Sequence, residues 1–183
     1  FGGVNTYTQP TNVEQGALIV NGSLGNTVVT VAATSGTATL GGSGTIGGAT
    51  TIGDNGILAP GNSPGVLSFS NGLTLGSGAT SSFEINGLTR GTEYDGVNVT
   101  GGSLAYGGTL SISFGAAIQA GTYDLFSFSG TPTGGFSTIS IGGSFAEAIV
   151  GSPSITGSGW SASSAGWLYE FSNATGDLTL TAV

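Results

Sequence analysis

The chain has 183 residues, nearly half of them Gly, Ser or Thr, and a formal net charge of −8 from nine acids and the single Arg90. Lys, His, Cys and Met are absent. That leaves no ligand set for zinc, haem or iron–sulfur centres, no imidazole for a nucleophilic triad, no Schiff-base or P-loop lysine, and no cationic surface to displace counterions from nucleic acid.

On composition the chain reads as a non-enzyme without metal or cofactor. It also reads as folded. Some 38% of its residues are hydrophobic and its mean hydropathy is +0.30, whereas disorder pairs low hydrophobicity with high net charge. No apolar run approaches the length of a membrane-spanning helix. Without cysteine there is no disulfide framework. Starting at Phe1 rather than Met, the chain reads as a processed product or a fragment.

Residues 1–15 form an extended segment with Phe1, Val4 and Tyr7 at apolar spacing. Short β-type runs follow at Ala17–Val20, Thr27–Val31, Val66–Phe69, Leu73–Leu75 and Thr109–Phe114, separated by Gly, Asn and Ser. The best helix-forming stretch, Phe145–Val150, is short and ends at Gly151. The last strand, Asp177–Val183, alternates Leu178 and Leu180 on one face with Thr179 and Thr181 on the other. A longer period overlies this alternation: Gly16, Gly36, Gly56 and Gly76 recur at one interval, as do Val20, Leu40 and Pro60.

Repetition at about 20 residues marks a solenoid with one coil per repeat, Gly at the corners and Ile, Leu and Val inside. From Thr80 the aromatics become frequent and the Gly period fades. The expected fold is all-β: a parallel β-helix over residues 1–80, with an aromatic-richer β region over 81–183 that continues the coil or packs onto its end.

Four stretches carry a resemblance: Asn5-Thr-Tyr-Thr8, Gly16-Ala-Leu-Ile-Val-Asn-Gly-Ser-Leu-Gly25, Leu40-Gly-Gly-Ser-Gly-Thr-Ile-Gly-Gly48 and Leu58-Ala-Pro-Gly-Asn-Ser-Pro-Gly65. With Phe83-Glu-Ile-Asn-Gly87, Tyr94-Asp95 and Gly107-Gly-Thr-Leu110, they resemble the autotransporter-associated β-strand repeat of secreted and surface proteins of Gram-negative bacteria. The resemblance implies a right-handed parallel β-helix exported to the cell surface, with an adhesive or structural role. At this length and with no translocator barrel in this sequence, a stand-alone secreted protein is expected rather than a true autotransporter. The run Trp167–Val183 is similar to the segment that precedes a Pro-Glu-Pro sorting tail in surface proteins of the PEP-CTERM type, which implies a product trimmed at both ends.

Glu84, Glu93 and Asp95 gather near Arg90, and paired carboxylates could in principle cleave a glycoside. An ion pair of Arg90 with Asp95 or Glu84 is the simpler reading. Asp54-Asn-Gly56 and Asp95-Gly96 each hold one acid, where a strong calcium site gathers several, so turn chemistry fits better. Trp160, Trp167 and Tyr169 are candidate glycan contacts, set against a place in the core. Thr-x-Thr pairs at Thr6/Thr8, Thr37/Thr39 and Thr179/Thr181 do not recur at the coil period.

Function is then expected at the sheet edges. A solenoid leaves unpaired backbone groups at its ends, and no capping helix is evident. The N-terminal segment (Phe1, Val4, Tyr7) and the C-terminal strand (Leu178, Leu180) are the expected self-assembly elements, by strand addition to a neighbouring copy. The expected protein is a secreted bacterial fibre or matrix subunit whose partner is itself. The alternative is a surface adhesin that binds glycans.

Overall fold

The computed structural model describes residues 1–144, 149–151 and 159–183. The Phe145–Val150 stretch lies in part outside the described residues; Ile149 and Val150 belong to a strand.

Alternation at period two buries every second side chain of the longer strands, as in Thr80–Ile85 and Thr109–Phe114, and the strands wind into coils of three. The first coil holds β1 (Val4–Asn5), β2 (Thr11–Val13) and β3 (Gly16–Ile19). The second holds β4 (Ser23–Leu24), β5 (Val29–Val31) and β6 (Ala38–Gly42), and the third β7 (Thr45–Ile46), β8 (Thr50–Ile52) and β9 (Gly56–Pro60). The fourth holds β10 (Val66–Phe69), β11 (Leu73–Leu75) and β12 (Thr80–Ile85). The fifth holds β13 (Gly96–Val99), β14 (Leu104–Tyr106) and β15 (Thr109–Phe114). After β16 (Gly121–Asp124), the sixth holds β17 (Phe126–Phe128), β18 (Thr133–Gly134) and β19 (Thr138–Gly143). Four strands follow: β20 (Ile149–Gly151), β21 (Gly159–Ser164), β22 (Trp167–Ser172) and β23 (Asp177–Ala182).

Stacked coils make three parallel faces. The first is β1-β4-β7-β10-β13-β17, the second β2-β5-β8-β11-β14-β18, and the third β3-β6-β9-β12-β15-β19 with β20 added antiparallel. The chain is thus an all-β parallel solenoid continuing into further strands. Thr80 begins β12, which pairs with β9 on one side and β15 on the other, so the coil runs unbroken through that residue.

Apolar side chains stack in register inside. Leu18, Leu40 and Leu58 form one column, Val31 and Ile52 another, and Leu24, Ile46, Phe69 and Val99 a third. Each fully buried member contributes about 1.5–3 kcal/mol.

The mean period matches the sequence reading, but the register does not. Gly16 lies beside Ala38, and Ala38 beside Gly56, while Leu40 stacks with Leu18 and Leu58 rather than with Val20 and Pro60. Registers advance unevenly because corner lengths differ. They then lengthen: Thr80, Thr109 and Thr138 are 29 residues apart. The extra length enters at one corner, between the third and first faces, as residues 86–95 and 115–125.

Corners need glycine where one coil lies directly on the next. A Cβ at Gly22 would overlap the Gly3 carbonyl, and one at Gly44 would overlap that of Gly22.

A four-stranded antiparallel sheet, β16-β23-β22-β21, closes the structure. Its apolar face carries Tyr123, Trp160, Tyr169, Phe171, Leu178 and Leu180, all buried. Phe171 packs on Phe136, Tyr106 and Phe126 at ring-centroid distances of 5.6, 6.1 and 6.4 Å, and Tyr169 on Phe114 at 6.4 Å. The sheet therefore covers the aromatic interior of the last two coils.

Candidate functional site

The two ends of the solenoid differ. At the first coil, β1, β2 and β3 are each the outermost strand of their face, with no strand partner on the outer side among the described residues. Phe1, Val4 and Tyr7 come together at this end and are 57%, 81% and 38% exposed. Val28, also exposed, precedes β5 in the second coil, its carbonyl accepting from Thr11 N–H at 2.8 Å.

Residues 1–3 run along the next corner. The Phe1 ammonium donates to Ile19 O at 2.6 Å, and Phe1 O accepts from Asn21 and Gly22 N–H at 2.8 and 3.0 Å. Asn5 stands at the end of the Leu24–Ile46 column, its Nδ2 donating to Gly3 O and Ser23 O, both at 3.1 Å. A polar residue thus terminates an apolar column, with its donors satisfied.

The opposite end corrects two expectations. Leu178 and Leu180 are buried, and β23 is hydrogen-bonded on both sides, to β16 and β22. The C-terminal strand is the interior of a sheet and offers no free edge. Its alternation reads the same either way, because Leu178 and Leu180 face an apolar surface in both cases. Trp160 and Tyr169 are buried, and Trp167 packs half-buried against the core, so these aromatics form no flat platform for a sugar.

The charged residues near Arg90 separate into structural roles. Arg90 pairs neither with Asp95 nor with Glu84. Its Nε donates to Asp124 O at 2.7 Å and lies 3.4 Å from the Asp124 carboxylate, while its other nitrogens donate to Asn98 Oδ1 and Val97 O at 2.8 and 2.9 Å. Residue 124 lies in the second corner insertion, beyond the reach of local sequence reading.

Asp95 is buried and accepts from Gly65 N–H at 2.9 Å and Glu84 N–H at 2.8 Å. Burial pushes its carboxyl up to about 6, against those two bonds and with help from the nearby Glu84 charge. Burial likewise raises Asp124, opposed by Arg90. Glu93 turns back to accept from Leu88 and Thr89 N–H, and its bonding to Thr89 lowers it. Glu84 accepts from Ser63 Oγ at 2.5 Å and Asn86 Nδ2 at 3.1 Å. Glu84 and Asp95 line a cleft of about 470 Å³ with Asn62, Ser63 and Ser82, and its acids are held by the protein's own donors. Among the described residues no three His, Cys, Asp or Glu gather as a metal site. Asn55, in the Asp54-Asn-Gly56 turn, takes φ 54°, a conformation Asn tolerates, and donates to Ala33 O at 3.0 Å.

Threonine does form columns, across coils rather than along a strand. Thr30, Thr51 and Thr74 align outside the second face, and Thr80, Thr109 and Thr138 outside the third, beside Ser82, Ser111 and Ser140. They do not follow a 20-residue interval, because the register advances unevenly from coil to coil.

Among the described residues no helix is long and apolar enough to cross a membrane. No protein-family model matches the chain, and neither the curated proteins nor the solved structures yielded a match.

Proposed function

We propose that this chain is a structural subunit exported to the outside of a bacterial cell, where it associates with copies of itself in a surface fibre or matrix. The observation that carries this reading is the first coil. Three strand edges and the exposed Phe1, Val4 and Tyr7 share one end of the solenoid. Unpaired edges beside apolar side chains are what strand addition uses.

Composition supports the setting. A chain free of thiols and nearly free of Lys and Arg suits an exposed, protease-rich surroundings, and the resemblance to autotransporter-associated repeats points the same way. The repetitive solenoid fits a scaffold whose stability grows by stacking.

Size-exclusion chromatography with light scattering and negative-stain electron microscopy, over a concentration series, test the proposal. Intact chain should give assemblies larger than 17.7 kDa, and a variant lacking residues 1–8 should give monomers. Monomers of the intact chain at every concentration refute self-association; normal assemblies from the truncated chain refute this route.

A further inference from the structure

We propose that two copies of this chain join first coil to first coil, about a two-fold axis normal to the third face. The inference rests on the self-association reading and specifies its geometry. Coil-on-coil stacking needs an open coil on both partners. The apolar interior of the sixth coil is covered by the β16-β23-β22-β21 sheet and the β19 edge is taken by β20, leaving only β17 and β18 as outermost strands, whereas all three strands and the interior of the first coil are open among the described residues. An open first coil therefore finds its match in the open first coil of another copy, not in the covered end.

The topology accommodates this join. A half-turn about an axis normal to the third face keeps the apolar side of that face inside and reverses strand direction. β3 then meets the second copy's β3 antiparallel, while β1 meets β2 and β2 meets β1. All three faces continue across the junction. Such an isologous contact closes on itself and yields a dimer, and a fibre or matrix is then built from such dimers through other surfaces.

The hydrogen-bonding capacity of β3 agrees. Gly16 and Val20 N–H groups donate inward, to Thr37 O and Gly41 O of the second coil, at 3.1 and 2.9 Å. By alternation, Ala17 and Ile19 turn their backbone groups outward. The Phe1 ammonium occupies Ile19 O, so Ala17 is left at the centre of the edge with both N–H and C=O directed away. Two facing Ala17 residues would exchange the reciprocal pair of bonds of an antiparallel ladder.

Charge selects the same ends. Glu14 is the single acid of the first coil; every other described acid lies in the third coil or beyond. Joining first coils brings the sparsely charged ends of two −8 chains together and keeps the acidic ends apart.

The test uses the absence of native cysteine. Ala17→Cys, an exposed position, gives a chain with one thiol, as does Thr181→Cys on the exposed face of the covering sheet. Each is treated with a short bis-maleimide, alone and in an equal mixture, after circular dichroism confirms a β spectrum. We expect Ala17→Cys alone to yield a covalent dimer of twice 17.7 kDa, with no heterodimer gained in the mixture. Assemblies that cross-link only in the mixture would overturn the two-fold join while sparing self-association. Monomers throughout, with no cross-link at any concentration, would overturn both.

Discussion

Arg90 reaches across 34 residues to Asp124, its Nε donating to the backbone carbonyl at 2.7 Å with the Asp124 carboxylate 3.4 Å away. This contact ties the first wide corner, residues 86–95, to β16, the strand through which the corner after β15 enters the covering sheet. The lone cationic side chain of the sequence thus fastens the solenoid to its lid.

Arg90→Ala removes donors to Asp124 O, Asn98 Oδ1 and Val97 O and leaves the Asp124 carboxyl half-buried without its counter-charge. Charge-assisted bonds of this kind contribute about 1.5–3 kcal/mol, so a loss of about 2–3 kcal/mol is expected in urea unfolding. Arg90→Lys should recover little, because one ammonium cannot serve three acceptors in a fixed fork. A lysine variant with the wild-type midpoint would show that charge alone matters.

Phe171→Ala empties the place where the covering sheet meets Phe136, Phe126 and Tyr106. A buried Phe→Ala change costs about 3–5 kcal/mol. Thermal unfolding should move down accordingly, with the near-ultraviolet aromatic signal changing first if the sheet detaches before the coils open. A shift within error of wild type would mean the sheet is not anchored through this residue.

Stability should fall as pH rises out of the mildly acidic range. The Asp95 carboxyl stands at about 6 in the folded chain against an ordinary 3.8, so between those values the folded form holds a proton that the unfolded form has lost. Its contribution is complete below the ordinary value and is lost as pH rises through about 6. Asp124, also raised, acts in the same direction, whereas the lowered Glu93 loses its contribution as pH falls. Urea midpoints at about pH 4.5 should exceed those at about pH 7.5. Asp95→Asn should be less stable, since one backbone N–H loses its acceptor, and should show a shallower slope; an unchanged slope would assign the effect elsewhere.

Two glycines separate close approach from mere flexibility. Gly44→Ala would drive a methyl group into the Gly22 carbonyl one coil below, and overpacking of this kind costs about 1–3 kcal/mol or more. Gly142→Ala meets nothing within 4 Å among the described residues and needs no positive φ, so it should be neutral or stabilising by less than about 1 kcal/mol. Equal melting temperatures for the two variants would contradict the stacked-corner geometry.

The sequence by itself determined that this chain is a β solenoid. Short alternating runs such as Thr109–Phe114 bury every second residue whatever their neighbours, and Gly at corners such as Gly22 and Gly44 follows from coils in backbone contact. Tertiary structure alone decided the register, the lid and the ionic partners. Unequal corners make Leu40 stack on Leu58 rather than Pro60. Leu178 and Leu180 alternate identically in an edge strand and in a central one, and only the pairing of β23 with β16 and β22 distinguishes them. Arg90 had acids close by in sequence, yet it bonds Asp124, because widening the coil at one corner brings residues 90 and 124 together on successive turns. Local pattern encodes which face of a strand is buried; what it is buried against depends on loop lengths that the pattern does not contain.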